Sequence, residues 1–407
     1  MSKRKPTDVF LLLTVGALVA IGAVMVFSAS SVDGVTQFHD AAYFLKRELL
    51  WIVLGGGAAW FGLRMDYCRL RAAAPWLFGI AVVLLGVVLV PHVGSMEGGA
   101  QRWFEFKSFS FEPSEFAKLA VVIMLARIFA DREDGALSFA RAGFPALLCV
   151  GICFVLVMRE PDFGTASLFV ITAGVMLFVA GAKWQHLIVG AVVAVPTLLL
   201  FVYSSAYRRD RFTAFLHPWN DPQGTGYHII QSLYALGSGG WFGLGLGESR
   251  QKFGYLPEQY TDFIYAIIGE ELGFIGAAFV LVLFLALAYR GVRIAMNADD
   301  RFGYYLAIGL TASIVLQALV NIGVVTSAWP VTGVTLPFIS YGGTSLVISM
   351  FGVGVLAGIS RGRSRAALAA DTRSREDEDA YFARRRRHRR SSVPRVVTRQ
   401  SALRRAR

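Results

Sequence analysis

The sequence predicts an all-α, polytopic integral membrane protein of about ten transmembrane helices, with a large extracytoplasmic loop between the seventh and eighth. Three observations carry this. Hydrophobic residues make up 55% of the 407 and mean hydropathy is +0.53, far from a soluble domain. Apolar runs long enough to cross a bilayer recur from Val9 to Ile359. Such spans must satisfy their own backbone hydrogen bonds, which makes them helical.

The first run, Val9 to Phe27, follows Lys3-Arg4-Lys5 and precedes Ser28-Ala29-Ser30. That triplet resembles a signal-peptidase site, but the apolar run exceeds the ~7–15 residues of a signal peptide, so a retained helix is expected. Further spans are expected at Leu49–Leu63, Ala74–Val90, Pro113–Phe129, Phe144–Val157, Ala166–Ala180, Trp184–Val202, Asp262–Ala288, Tyr304–Val325 and Ser340–Ile359. Trp51, Trp76, Trp103, Trp184, Trp241 and Trp329 fall near these ends, as interfacial anchors do. Between Asn321 and Ser345, Pro330, Pro337, Gly342 and Gly343 interrupt helix. Irregular backbone at membrane depth is tolerated only where protein or a water-filled cavity covers it, so this stretch should line a cavity.

With the N-terminus inside, Arg64, Arg69, Arg71, Arg127, Arg132, Arg141, Lys183, Arg290, Arg293 and Arg301 fall on the cytoplasmic side, as basic loop residues should, and Lys46, Arg47, Arg102, Lys107 and Arg159 fall outside. Arg208, Arg209 and Arg211 break the trend in the large loop. An anionic substrate is one explanation, and the tolerance of long loops for charge is the other. The net charge of +12 is mostly a tail effect: sixteen arginines and five acidic residues lie from Arg361 onward. The chain thus divides into a near-neutral membrane domain, residues 1–360, and a basic tail, 361–407, too poor in apolar residues to fold. Anionic lipid or an acidic partner suits the Arg384–Arg390 cluster better than nucleic acid does. Cys68, Cys149 and Cys153 give no disulfide framework.

No zinc-ligand spacing, phosphate-binding loop or dinucleotide fingerprint is present. The chemistry must come from polar residues at the ends of the spans, where ionisable groups are costly and mark sites. Four groups map to one face. Arg102 offers a fork of donors suited to phosphate, or is a solvated loop arginine. Glu115 and Lys118 share a helix face, as a structural ion pair or a substrate contact. Asp162 is either a helix cap or a site residue. Asp262 opens the eighth span. Glu270 lies two turns below it, ~12 Å at helical rise, too far for a shared proton, so Glu270 and Glu271 are expected to hold helices together.

The motifs around these residues resemble the SEDS family of bacterial cell-wall synthesis. They are Gly99-Ala100 with Arg102-Trp103, Pro113-Ser114-Glu115 with Lys118, Pro161-Asp162 with Gly164, Gly237 to Gly240, Thr261-Asp262-Phe263-Ile264 with Gly269 to Gly273, and Leu336-Pro337 with Ser340 to Gly343. Val24 to Ser31, Gly243-Leu244-Gly245 and Gly333 to Pro337 are most similar to the family's division branch. Two positions depart: Thr332 stands where some members carry lysine, and Glu160 where glutamine is common.

The resemblance implies a ten-helix membrane protein with both termini cytoplasmic, enriched at the division site. It implies a peptidoglycan glycosyltransferase that polymerises lipid II at the outer membrane face, with Asp262 as general base. Arg102, Glu115, Lys118, Asp162, Arg208 and Arg211 are then candidates to bind substrate. A divalent cation, Mg or Mn, is a possible cofactor of such chemistry, with no ligand assigned. The implied partners are a class B penicillin-binding-protein transpeptidase and other division proteins. A lipid II flippase and a non-catalytic scaffold are the alternative readings.

Overall fold

The computed structural model describes residues 6–91, 93–97, 100–106, 109–131, 142–185, 188, 190, 192, 196, 203 and 206–362. Most of the expected seventh span Trp184–Val202 lies outside this set. So do Gly99, Lys107, Arg132, Arg141, the side chain of Arg208 and the tail from residue 363.

Eleven α-helices are described: α1 Val9–Phe38, α2 Tyr43–Arg64, α3 Cys68–Val88, α4 Pro113–Ala130, α5 Phe144–Arg159, α6 Phe163–Val179, α7 Ala206–Leu216, α8 Tyr227–Gly239, α9 Ile264–Met296, α10 Arg301–Val325 and α11 Gly343–Ser360. Of these, α1, α3, α9, α10 and α11 are long and apolar enough to cross a membrane, and α5 and α6 are shorter apolar helices. α2 and α4 carry the charges Glu48, Glu115 and Lys118 inward, all buried. The chain is helical as expected, with one small addition. A small antiparallel sheet, β1 Ser95–Glu97, β2 Ala100–Phe106 and β3 Phe109–Phe111, links α3 to α4.

α1 runs eleven residues past its expected end. Ser28, Ala29 and Ser30 are buried within it, and Ser28 Oγ donates to both carboxylate oxygens of Glu271 at 2.7 Å. The cleavage-like triplet is therefore part of the packed core. The core itself is a bundle of α1, α4, α6, α9, α10 and α11, with Phe129, Phe263, Phe284 and Phe302 among its fully buried side chains. Small residues set the closest approaches. A Cβ on Gly354 would lie 2.1 Å from Ala59 O, and one on Gly343 2.1 Å from the Trp51 ring. Trp51 is thus a packing residue inside α2, not an interfacial anchor.

The two ends of the bundle differ. One gathers Asp8, Arg71, Arg127, Asp131 and Arg290. Arg290 Nη2 lies 2.5 Å from Asp8 Oδ2, and Arg71 Nη2 2.5 Å from Asp131 Oδ1. The other carries the sheet, α7, α8 and the irregular stretches 240–263 and 326–342.

Candidate functional site

Local sequence brings Asp262 to the end of the bundle that carries the sheet. Pro257 and the turns after it stop the chain from entering a helix before Phe263, which is the N-cap of α9. Asp262 is not the cap, so its carboxylate is left to the cavity. Three bonds from the 321–341 region pin its backbone. Asn321 Nδ2 donates to Asp262 O at 2.7 Å and to Val334 O at 2.8 Å. Ser340 Oγ donates to Thr261 O at 2.5 Å, and the Tyr341 N–H to Tyr260 O at 2.9 Å. Proline and glycine deny the 330–342 stretch helical bonds, so it is free to serve as this clamp, and Val331, Gly333, Thr335 and Tyr341 line the cavity as expected.

Arg102 reaches the same place from β2. Its Nη2 donates to Pro161 O at 2.9 Å and its Nε to Glu160 O at 3.3 Å, while Nη1 lies 3.9 Å from Asp162 Oδ2. A Cβ on Gly333 would sit 3.2 Å from Arg102 Nη1 and 3.5 Å from Asp262 Oδ2. The guanidinium and the carboxylate therefore face each other across a glycine that leaves them room. Asp162 caps α6, its Oδ1 accepting from the Thr165 N–H at 3.0 Å, while its Oδ2 faces Arg102.

The cavity these residues share has a volume of about 580 Å³, within the range of small-molecule sites. Arg102, Trp103, Glu115, Arg211 and Asp262 all line it. Trp103 is thus a cavity wall rather than the interfacial anchor expected. Arg102 and Arg211 also border a smaller pocket of about 30 Å³ with Asp162 and Thr332. Lys118 lines neither. It sits one turn deeper on α4, donating to Glu115 Oε1 at 2.8 Å and Gln317 Oε1 at 2.6 Å. Of the described α7 arginine side chains, Arg211 lines the cavity and Arg209 is exposed.

Electrostatics are set by burial against two cations, Arg102 and Arg211. Burial, Glu258 and Asp162 push the Asp262 carboxyl up to about 7, against the pull of Arg102 and Arg211. Glu112, buried beside Glu115 and Asp162, is pushed up to about 8. Glu160 is fully buried, its two oxygens lack a partner, and its carboxyl is pushed up to about 9. Burial opposes the charge on Arg102, yet Asp162, Glu112, Asp262 and Glu160 together hold its pKa above the ordinary value. Among the described residues, no three histidines, cysteines or carboxylates are placed to hold a metal ion. These carboxylates surround a guanidinium, and the set does not fit a resident cation.

Sequence reasoning missed Asn321, Glu112 and His228. Asn321 stood in a stretch recognised only for its broken helix. Glu112 could have been found from Pro113, which fixes a helix start just after it. Glu270 and Glu271 were expected to join helices; they also hold a loop. Glu270 accepts from Ser249 Oγ at 2.5 Å and the Arg250 N–H at 3.0 Å, and Glu271 faces Lys252 Nζ at 3.7 Å.

Comparison with known proteins agrees with this arrangement. The family described as cell cycle protein FtsW/RodA/SpoVE matches residues 9–365, and the chain belongs to that family of membrane proteins. It is 45% identical over 360 residues to stage V sporulation protein E of Bacillus subtilis, covering 88% of this chain and 98% of that one. It is 44% identical over 362 residues to a probable peptidoglycan glycosyltransferase FtsW of Trichlorobacter lovleyi, covering 89% and 95%. Among solved structures it is similar to a chain of a peptidoglycan synthase complex that coordinates polymerization and crosslinking, with a TM-score of 0.73 at 30% identity over 87% and 98% of the chains. It is also similar to the rod shape determining protein RodA of Thermus thermophilus, with a TM-score of 0.64 at 28% identity over 87% and 97%.

Proposed function

We propose that this protein is a peptidoglycan glycosyltransferase of the division branch, polymerising lipid II. The observation that carries the reading is the facing pair of Asp262 and Arg102 across Gly333, in a cavity at one end of a membrane bundle. Glycosyl transfer from a lipid diphosphate needs a base and a stabiliser of negative charge. The acceptor sugar hydroxyl attacks the anomeric carbon, its proton passes to the Asp262 carboxylate, and the bond to the diphosphate breaks. Arg102 and Arg211 take up the charge that grows on the leaving diphosphate. Asp162 and the carbonyls of Glu160 and Pro161 hold Arg102 in place for this. Glu115 presents a carboxylate at the cavity wall, and Lys118 orients it from below. Arg208, on the same helix as Arg211, is assigned to the approach of the diphosphate.

The end with Arg71, Arg127 and Arg290 is assigned to the cytoplasm by its basic residues, which puts the cavity outside and both termini inside. A class B penicillin-binding-protein transpeptidase is the proposed partner, because a synthase complex containing such a fold couples polymerization to crosslinking. We assign the tail from Arg361 to the inner membrane surface or an acidic division protein. A divalent cation, Mg or Mn, is proposed only as a companion of the diphosphate, since among the described residues no cluster is placed to hold one; no step is routed through it. A flippase would need polar groups along a path through the bilayer, whereas this cavity lies at one end, and a scaffold would need no facing acid and base.

Purified protein with labelled lipid II is the test. Wild type should yield polymer, and Asp262→Asn should remain folded and yield none. Polymer from Asp262→Asn at wild-type yield would remove Asp262 from the mechanism. Neutral substitutions at Arg102 and Arg211 should weaken substrate binding, and unchanged affinity in both would remove them from the diphosphate site.

A further inference from the structure

α9 is broken at Gly273, where φ is +69° and ψ −170°. In an intact helix the N–H groups of Phe274 and Ile275 would donate to the carbonyls of Glu270 and Glu271. Here those carbonyls accept instead from Leu244 and Gly245, each at 3.0 Å. In exchange, the Phe274 and Ile275 N–H groups donate to Gly240 O at 2.8 Å and Trp241 O at 3.2 Å. The turn after α8 thus supplies a new partner to each of these four groups. Only glycine permits the approach: a Cβ on Gly243 would lie 2.1 Å from Glu271 O, and one on Gly239 1.9 Å from Gly269 O.

The depth of this junction follows from α9 itself. Seventeen residues separate Gly273 from Arg290 at the far end, about 25 Å at helical rise, less than the ~30 Å of a hydrocarbon core. The turn therefore reaches below the membrane boundary rather than standing in water. Its side chains agree. Trp241 is 67% and Phe242 83% exposed, with Leu244 and Leu246 exposed beside them. The Trp241 ring meets Phe274 edge-on at 5.2 Å, and below Phe274 the exposed face of α9 continues as Ile275, Phe279 and Val282. The apolar surface of the turn is one surface with the lipid-facing side of a membrane helix.

We propose that Gly240–Gly247 is a re-entrant turn inserted into the leaflet on the cavity side, with Trp241, Phe242, Leu244 and Leu246 among the phospholipid acyl chains. The backbone groups of Gly240, Trp241, Leu244 and Gly245 face inward, where α9 pairs them, and the apolar side chains face outward, the arrangement that burial in lipid favours. Because the turn also holds Glu270 and Glu271, it anchors in lipid the first turns of the helix that follows Asp262. This inference stands on the break in α9 and not on the polymerase reading.

The test uses full-length protein in phosphatidylethanolamine–phosphatidylglycerol liposomes, spin-labelled at Phe242→Cys after Cys68, Cys149 and Cys153 are replaced by alanine. The label should be more accessible to oxygen than to a water-soluble nickel chelate, with the order reversed at the exposed control Gln223→Cys. Nickel access at 242 would place the turn in water, and access to neither reagent would place it under protein; either result overturns the proposal. Should the cysteine-free chain not fold, quenching by lipids brominated on the acyl chain serves in the otherwise native protein. Trp241→Phe should remove a quenchable share of the emission, and no loss of quenching would equally overturn the proposal.

Discussion

At Asp262 a single carboxyl is tuned by what surrounds it. Burial and Glu258 raise it to about 7, so near neutrality it is divided between acid and base forms, the range in which a general base is most effective. Only the ionised form accepts a proton, so polymerisation should fall as pH drops through about 7. At the alkaline end the buried Glu112 and Glu160 ionise near 8 and 9. They then add negative charge around Arg102, and activity should fall again because the diphosphate is repelled. Glu160→Gln keeps the volume and removes one of these protons. It should leave the rate at pH 7 within about twofold and move the alkaline limb upward, as read from initial rates between pH 5.5 and 10. An unmoved alkaline limb would show that Glu160 does not sense the site.

Two elements do most to hold that carboxyl in place. The first is the 321–341 clamp. Asn321→Ala deletes the donors to Asp262 O and Val334 O. Since a misplacement of ~1 Å in a reacting group costs about 10²-fold, turnover should drop by that order while substrate affinity holds. A fall confined to KM would argue instead for a direct substrate contact. The second is the junction of the 240–247 turn with α9. Gly273→Ala places a Cβ 2.3 Å from Gly243 N at a backbone angle of φ +69°, costing about 2 kcal/mol or more. A lower thermal midpoint in detergent is the expected result, and a wild-type midpoint would show that the break relaxes freely.

The whole molecule separates chemistry from charge. The cavity with Asp262 opens at one end of the bundle, and Arg71, Arg127 and Arg290 gather at the other. The tail from Arg361 is charged and poor in apolar residues, a composition expected to serve placement rather than catalysis. Truncation after Arg365 should therefore leave lipid II polymerisation by the purified protein unchanged while weakening recruitment in cells, where each arginine near an anionic leaflet contributes ~1 kcal/mol. Loss of polymerase activity in the correctly inserted truncation would assign the tail a catalytic role.

What the sequence determined by itself was the membrane class, the order of the spans and the ionisable residues Arg102, Asp162 and Asp262 at their ends. Apolar run length and the cost of burying charge are local properties, readable along one dimension. Arg102, Asp162 and Asp262 were legible because ionisable groups at the ends of apolar helices have few structural reasons to exist. Tertiary structure decided which of them meet. Lys118 was grouped with the site by helical spacing, yet it turns to Gln317 on α10, a partner 199 positions away that no local pattern reveals. Asn321 looked like an ordinary helix residue until the 330s folded back beneath it. The break at Gly273 was invisible because glycine inside an apolar run reads as helix. Only the arrival of a second chain segment, offering four hydrogen bonds in exchange, makes the broken form the stable one.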